Sequence, residues 1–282
     1  MADFQGIIVI HKEKGFTSHD VVAKLRGILH MKKIGHTGTL DPDATGVLPV
    51  ALGKGTKLVD LLTDKEKTYE AVLHLGIDTD TQDMSGTVLE EKPVNVTEEE
   101  VRKVLKSFVG EQLQVPPMYS ALKVNGKKLY EYARNGEEVE IKERNIEIMM
   151  IKMISFSNNE IVFDVKCSKG TYIRSLCVDI AQKLGYPGHM SHLERRQAGH
   201  FSIEDCITLE QLEKGDYTLH SIEEALGDYP KLKLKDPTIV YHGKQIKSNL
   251  TGKIAIYDNH NKILAIYEST GTGYLKNVRG LW

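Results

Sequence analysis

The chain has 282 residues, of which 40% are hydrophobic and 27% charged, and its formal net charge is −2. This composition is that of a globular protein with room for more than one domain, and the net charge argues against a protein coated in positive charge. The sequence has neither an apolar run long enough to cross a bilayer nor a secretory type of leader, so we expect a cytoplasmic protein without a membrane partner.

Predicted elements at the start of the chain lead into a glycine-rich loop. Gly6 to Ile10 predicts a buried strand, and a helix follows that Thr17, Ser18 or Asp20 can cap. Residues 35–46 then hold three glycines, three threonines, a histidine and two aspartates, which predicts neither helix nor strand. We expect this segment to hold backbone and carboxylate against a ligand.

Asp41 in this loop is a candidate catalytic group. Pro42 disfavours the helical region for Asp41, which predicts an extended or turn backbone at the carboxylate. The alternative is that Asp41 and Asp43 only bond nearby amides or cap the segment that follows, as most loop aspartates do. The twelve residues by themselves leave both readings open.

The middle of the chain mixes helices and strands without a regular βαβ rhythm. The pattern predicts an α+β fold with a mixed, mostly antiparallel sheet flanked by helices. The predicted elements are a helix over 56–62, a strand over 69–75, a helix opened by Thr97 and Glu100 and ended by Gly110, a hairpin turn at Asn125-Gly126, a strand over 161–167 and a helix over 171–184 stopped by Gly185. Arg174 then lies in the first turn of the last helix.

The last part of the chain predicts a small basic all-β domain. Pro230 and Pro237 flank an expected linker, and residues 253–257 and 263–267 predict short strands. Residues 229–282 carry a net charge of +6, against −8 for residues 1–228. We therefore divide the chain into domains 1–228 and 229–282. A basic domain suits a polyanion, although a solvated lysine-rich surface explains the charge equally well.

Common cofactor motifs are missing from the sequence. Gly53-Lys54-Gly55-Thr56 lacks both the earlier glycine and the Ser or Thr position of a phosphate loop. His189, His192 and His200 have no cysteine or carboxylate at a known ligand spacing, which argues against zinc. We expect neither a metal nor a cofactor.

Three segments closely resemble the signature segments of the TruB family of tRNA pseudouridine synthases. They are residues 35–42 (GHTGTLDP), 114–123 (QVPPMYSALK) and 167–176 (CSKGTYIRSL). The resemblance extends to the opening strand with Lys12, to residues 193–199 and to a carboxy-terminal stretch similar to an abbreviated PUA domain, a small β domain that binds RNA. One departure is His11-Lys12-Glu13, where the family usually has Asp-Lys-Pro.

The resemblance implies an isomerase that converts uridine 55 in the TΨC loop of tRNA to pseudouridine. The N1–C1′ bond breaks, the uracil turns, and C5 is joined to the same sugar carbon, so no cofactor is required. The partner would be the TΨC arm of tRNA, bound by a monomer without an obligatory protein partner. The sequence does not choose between attack of a carboxylate on C1′ and removal of a proton from C2′ to form a glycal.

The resemblance also implies roles for individual residues. Asp41 would be the catalytic carboxylate, Arg174 would pair with it and lower its pKa, and Tyr69 would stack on the uracil and assist loss of the C5 proton. Asp43 would cap the following segment. The expected substrate-binding residues are His36, which would fill the space left by the flipped base, Leu193 as an apolar wall, Lys12 in support, and Thr37, Gly38, Thr39, Leu40 and Tyr172.

Two other functions remain open at this point. One is a related enzyme that acts on uridines in other RNAs or cleaves the glycosidic bond without rejoining it. The other is an RNA-binding or tRNA-folding protein without catalytic activity. Tritium at C5 of uridine distinguishes the three, because only a pseudouridine synthase releases the label and also forms pseudouridine.

Overall fold

The fold of residues 4–227 and 229–282, which a computed structural model describes, combines eight α-helices with four β-sheets. The strands are β1 (Gly6–Lys12), β2 (Ile34–His36), β3 (Thr45–Leu52), β4 (Lys67–Leu75), β5 (Ile77–Thr79), β6 (Val88–Glu91), β7 (Gly110–Gln114), β8 (Lys123–Val124), β9 (Lys127–Lys128), β10 (Arg144–Ser157), β11 (Glu160–Cys167), β12 (Gly188–Ala198), β13 (Phe201–Ser202), β14 (Lys231–Lys233), β15 (Ile246–Lys247), β16 (Lys253–Tyr257), β17 (Ile263–Ser269) and β18 (Tyr274–Gly280). The helices are α1 (Ser18–Ile28), α2 (Val59–Thr63), α3 (Glu98–Lys106), α4 (Leu129–Asn135), α5 (Ile173–Leu184), α6 (Leu209–Glu213), α7 (Ile222–Leu226) and α8 (Thr238–Tyr241).

A nine-stranded sheet dominates the described part of the chain. Its main order is β1-β3-β12-β4-β11-β10-β7, with β2 added to β3 and β13 to β12. All neighbouring strands in it are antiparallel except β3 and β12, which run parallel. The predicted α+β fold with a mixed, mostly antiparallel sheet is therefore confirmed. Strand β12 joins the amino-terminal strands to the rest of the sheet.

Several local sequence signals form the structures they predict. Thr17 and Asp20 make a reciprocal capping box at the start of α1, and Thr97 and Glu100 make another at α3. Gly185 ends α5 in the left-handed conformation at φ 86°. Each of these signals is formed by groups only a few residues apart, so its structure does not depend on distant parts of the fold.

Gly110 does not end a helix. Helix α3 stops at Lys106 and is capped by Ser107, whereas Gly110 begins β7 with φ 117°. The predicted helix over 56–62 is also divided, into a 3-10 helix over Gly53–Leu58 followed by α2. Both differences concern where an element ends, which local pattern determines poorly.

The glycine-rich segment is shorter as a loop than predicted. Ile34–His36 and Thr45–Leu52 form β2 and β3, so both ends of residues 35–46 are strand and only the centre is irregular. Asp43 does not cap the segment that follows, because that segment is strand β3. Its carboxylate instead lies 3.9 Å from Lys14 Nζ, and both side chains are at least half exposed.

The last part of the described chain forms a separate five-stranded sheet in the order β14-β16-β17-β18-β15. Residues 231–233, inside the expected linker, are strand β14, which pairs in parallel with β16, so the linker prediction was wrong. Ala255, Ile266 and Leu281 share a hydrophobic cluster with Ile7 and Leu58 of the body. The small sheet is thus packed on the body. A domain boundary near residue 229 stays a prediction.

Candidate active site

A cleft of about 860 Å³ lies between residues 38–44, the loop between β2 and β3, and one face of strands β4 and β12. Its volume suits a small organic ligand. Of the predicted site residues, those that line it are Asp41, Tyr69, Arg174, Gly38, Thr39, Leu40, Tyr172 and Leu193. The structure therefore brings together residues from four segments of the chain that span positions 38 to 193.

Asp41 and Arg174 form a two-point ion pair in this cleft. Arg174 Nε lies 3.0 Å from Asp41 Oδ2, and Arg174 Nη2 donates to Asp41 Oδ1 at 3.2 Å. The Arg174 side chain is only 5% exposed and also donates to the carbonyls of Thr81 at 3.1 Å and Tyr119 at 2.9 Å. Its Nη1 lies 3.6 Å from an oxygen of Asp83. The planar fork of Arg174 thus fixes the direction of the Asp41 carboxylate.

Interactions within the chain hold both partners in place. Leu40 N donates to the buried Ser18 hydroxyl at 2.9 Å, and Lys12 Nζ donates to Pro42 O at 3.1 Å, so both neighbours of Asp41 are fixed. On the other side, Gln114 exchanges two hydrogen bonds with the backbone of Tyr172, the residue immediately before α5. This contact joins two of the three segments on which the family resemblance rests and sets the start of the helix that carries Arg174.

The pKa of the Asp41 carboxyl is raised above its usual value, chiefly because the group is buried. The charge of Arg174 acts in the opposite direction, as the sequence predicts, but it does not outweigh burial; Asp83 raises the pKa further. The predicted effect of Arg174 on the Asp41 pKa is therefore present, but the net shift is upward because burial is the larger cause. Because 38% of the Asp41 side chain is exposed, and Asp41 lines the cleft, its carboxylate remains accessible to a ligand.

Tyr69 and Leu193 lie on the sheet face beneath the loop. Both side chains are buried, at 8% and 7% exposure, and both line the cleft. Burial also raises the pKa of the Tyr69 hydroxyl, so Tyr69 is a neutral phenol near neutral pH. A neutral aromatic ring beside an aliphatic side chain suits stacking on a planar base better than proton removal by a phenolate.

Three predicted site residues do not line the cleft. Lys12 is fully buried and donates to the carbonyls of Glu13, Phe16 and Pro42, so it supports the loop from below. Thr37 is buried with its amide bonded to Pro49 O. His36 is half buried in β2 and its Nδ1 accepts from Gly38 N at 3.4 Å. Burial lowers the pKa of His36, which therefore stays neutral near pH 7.

The charged residues around the cleft that sequence reasoning missed include Asp83, Lys67 and Arg195. Arg195 is 1% exposed and donates to the carbonyls of Val47 at 2.7 Å, Thr39 at 3.4 Å and Gly38 at 3.2 Å. The only sequence signal for it was its place two residues after Leu193, which puts both side chains on one face of a strand. Across residues 4–227 and 229–282, we find no cluster of His, Cys, Asp and Glu able to hold a metal ion.

The sequence matches two family models in succession. Residues 26–173 match the TruB family pseudouridylate synthase N-terminal domain, and residues 174–230 match the tRNA pseudouridylate synthase B C-terminal domain. The chain belongs to the TruB family. It is therefore an isomerase of the tRNA pseudouridine synthase class, as the three sequence segments implied.

Curated relatives and solved structures agree with this assignment. The tRNA pseudouridine synthase B of Bacillus pumilus is 50% identical over 82% of this chain and 79% of its own length, and that of Bacillus cereus is 47% identical over 94% and 92%. A chain of a crystallised Cbf5-Nop10-Gar1 complex superimposes with a TM-score of 0.78 at 28% identity, over 99% of this chain and 85% of that one. The fold is therefore Cbf5-like.

Proposed function

We propose that this enzyme converts uridine 55 in the TΨC loop of tRNA to pseudouridine, with Asp41 as the catalytic carboxylate. The observation that carries the proposal is the pair of Asp41 and Arg174 in a cleft of nucleoside size. The choice of tRNA follows the names of the relatives, and the choice of position 55 follows the family resemblance.

The geometry supports a division of labour around one nucleotide. Asp41, ionised and directed by Arg174, would act on the ribose, either at C1′ or on the proton of C2′. Tyr69 and Leu193 would enclose the uracil between an aromatic ring and an aliphatic side chain. After C5 joins C1′, the C5 proton leaves and the uracil gains a proton at N1, so the reaction is an isomerisation with no net loss of atoms.

A uridine in a folded loop must leave its stack before it can enter this cleft. Extrusion costs on the order of a few kcal/mol, which contacts between protein and RNA must offset. His36, Thr37 and Lys12 would contribute to this from the loop and its support rather than from the cleft. The basic carboxy-terminal sheet, which we propose to be an abbreviated PUA domain, would add phosphate contacts.

We further propose that the enzyme acts as a monomer in the cytoplasm. Of the helices described here, none is long and apolar enough to span a membrane.

Asp41→Asn tests this proposal with an almost isosteric change. The variant should bind tRNA within a few-fold of wild type but release no tritium from C5-labelled uridine and form no pseudouridine. Asp43→Asn is the matched control, because Asp43 is an exposed aspartate two residues away. Mass mapping of tRNA after incubation with each purified protein gives the modified position. An active Asp41→Asn protein, or modification only outside position 55, would contradict the proposal.

A further inference from the structure

Two buried cations lie on the sheet face below the cleft, next to Tyr69. Lys67 and Tyr69 occupy alternate positions of β4, so their side chains leave the strand on the same face. Arg195 of β12 is paired directly with Tyr69 of β4, and Leu193 is paired with Ala71. Lys67, Tyr69, Leu193 and Arg195 all line the cleft. The two cations therefore flank the position at which an aromatic ring would hold the base.

Neither cation has an ion-pair partner in the described part of the chain. Lys67 is 7% exposed, and its Nζ donates to the backbone carbonyls of Thr63 and Lys65. Arg195 is 1% exposed, and its three hydrogen bonds also end on carbonyls. Salt bridges within 4.0 Å connect Arg174 to Asp41 and Asp83, but none involves Lys67 or Arg195. Buried charges are usually paired, so two unpaired cations side by side indicate a site for a negative charge.

The cleft also has a separate group for the sugar. Arg174 already contacts the carboxylates of Asp41 and Asp83 and two carbonyls. Because Asp41 is the group proposed to act on the ribose, Arg174 belongs to the ribose side of the cleft. Lys67 and Arg195 are grouped with Tyr69 instead, on the base side. Arg195 is the cross-strand partner of Tyr69, and both residues line this end of the cleft.

The isomerisation creates a negative charge at this place. When the N1–C1′ bond breaks, its electron pair leaves with the uracil, whether Asp41 attacks C1′ or takes a proton from C2′. The detached base then carries a negative charge spread over N1 and its carbonyl oxygens until C5 forms the new bond to C1′. Fixed positive charge beside a developing anion lowers the barrier without any reorganisation of solvent.

We propose that Lys67 and Arg195 form an anion site that stabilises the detached uracil during the reaction. The proposal rests on the function proposed above and adds the part of the site that acts on the base. Lys67 supplies an ammonium group with two of its three donors on carbonyls and one donor left over. Arg195 supplies a fixed charge and, through its bonds to Gly38 and Thr39, connects the base side to the loop of Asp41.

The state of Lys67 gives the site a pH signature. Burial and, next, the charge of Arg195 lower the pKa of Lys67 to about 8. The other groups that face it are Cys167 on β11, Asp64 after α2 and Lys169 before α5; Cys167 and Asp64 act in the opposite direction. Because the protonated form is the active one, the rate of the chemical step should fall as pH rises through about 8.

The experiment compares Lys67→Met and Lys67→Arg on two tRNA substrates. One carries uridine at the target position, and the other carries 5-fluorouridine, whose fluorine withdraws electrons and stabilises the detached base as an anion. Single-turnover consumption of the target nucleotide is followed by mass spectrometry after digestion. Folding is checked by thermal unfolding, and tRNA affinity is measured separately. Lys166→Met is the matched control, because Lys166 lies one residue away from Cys167 on the opposite face of β11 and pairs with Glu66.

We expect Lys67→Met to slow uridine consumption on the order of 10²-fold and fluorouridine consumption much less, with tRNA affinity within about 3-fold of wild type. Lys67→Arg, which keeps its charge at all accessible pH values, should retain most activity and move the fall in rate to higher pH. Lys166→Met should behave as wild type on both substrates. Arg195→Lys, if it folds, should resemble Lys67→Met in its preference for fluorouridine.

Equal slowing of both substrates by Lys67→Met would overturn the anion site, as would a fall in rate that stays near pH 8 in Lys67→Arg. In the second case the titrating group would be a different one, such as Lys12, because burial lowers its pKa to about 8 as well. These failures differ from failure of the proposed function itself, in which wild-type protein forms no pseudouridine in tRNA at all.

Discussion

Replacement of Arg174 tests how the ion pair with Asp41 contributes to catalysis. Arg174→Met removes two contacts to Asp41, one approach to Asp83 and two hydrogen bonds to carbonyls. Arg174→Lys keeps the positive charge but lacks the planar fork, so it cannot hold the same four partners at once. The two variants therefore separate the effect of charge from the effect of direction.

The magnitudes follow from burial. Because the Arg174 side chain is 5% exposed, Arg174→Met leaves two carboxylates without their guanidinium and should lower the free energy of unfolding by about 3–5 kcal/mol. Loss of direction at Asp41 should reduce the single-turnover rate about 10²-fold in both variants. Arg174 also opposes the upward pKa shift of Asp41. Arg174→Met, which removes the positive charge, should therefore raise the Asp41 pKa further.

The assay is single-turnover pseudouridine formation between pH 5 and pH 9, with protein in excess over tRNA. In the proposed function Asp41 acts as an ionised carboxylate, so the rate should rise with pH through the Asp41 pKa. Arg174→Met should move this rise to higher pH and regain part of its activity there, whereas Arg174→Lys should not. Arg196→Met is the matched control, because Arg196 pairs with Glu70 at 2.8 Å with 40% of its side chain exposed. An Arg174→Met protein that is folded and follows the wild-type pH profile would refute the argument.

Three further predictions concern stability and binding. Lys12→Met should lower the free energy of unfolding in urea by about 2 kcal/mol and reduce activity, because it removes a buried donor from the carbonyls of Glu13, Phe16 and Pro42, the last of which is next to Asp41. Burial raises the pKa of Asp179 to about 6, so the folded protein binds more protons than the unfolded chain and loses stability as pH rises from about 4 to 6. Asp179→Asn should remove that dependence and gain about 1 kcal/mol at pH 7 in chemical unfolding, after allowance for its partial exposure. The affinity for tRNA should fall as salt rises, and replacing the exposed Lys244 and Lys247 with Gln should lower the slope against log salt by roughly 0.7–0.9 for each residue that contacts a phosphate.

Local chemistry determined the features that the sequence predicted correctly. The box of Thr97 and Glu100 is formed by groups three residues apart, and the left-handed turn at Gly185 needs only the absence of a Cβ. The glycine at 110 is equally permissive, but its conformation starts a strand rather than ending a helix. A glycine indicates where the backbone turns and does not show which element it belongs to.

The site itself was readable only through resemblance. Asp41 and Arg174 are 133 residues apart, and no periodicity connects them. Nor could spacing separate Asp41 from Asp43, whose half-exposed carboxylate lies 3.9 Å from Lys14 Nζ. The raised pKa of Asp41 depends on the depth of the cleft, which is a property of the packed loop. Arg195 escaped notice because a charged residue at a buried strand position looks, from sequence, like an exposed one.

Strand β12 has a consequence for how the enzyme is made. It lies between β3 and β4 in the large sheet, so the two halves of the candidate active site are connected only once residue 198 has left the ribosome. Until then a nascent chain holds the Asp41 carboxylate without Arg195, and for most of that time without Arg174. Pairing between parallel or distant strands forms slowly. The early strands therefore keep unpaired edges until the rest of the chain is made or a chaperone binds them. A chain that ends anywhere before residue 198 should therefore be unable to modify RNA.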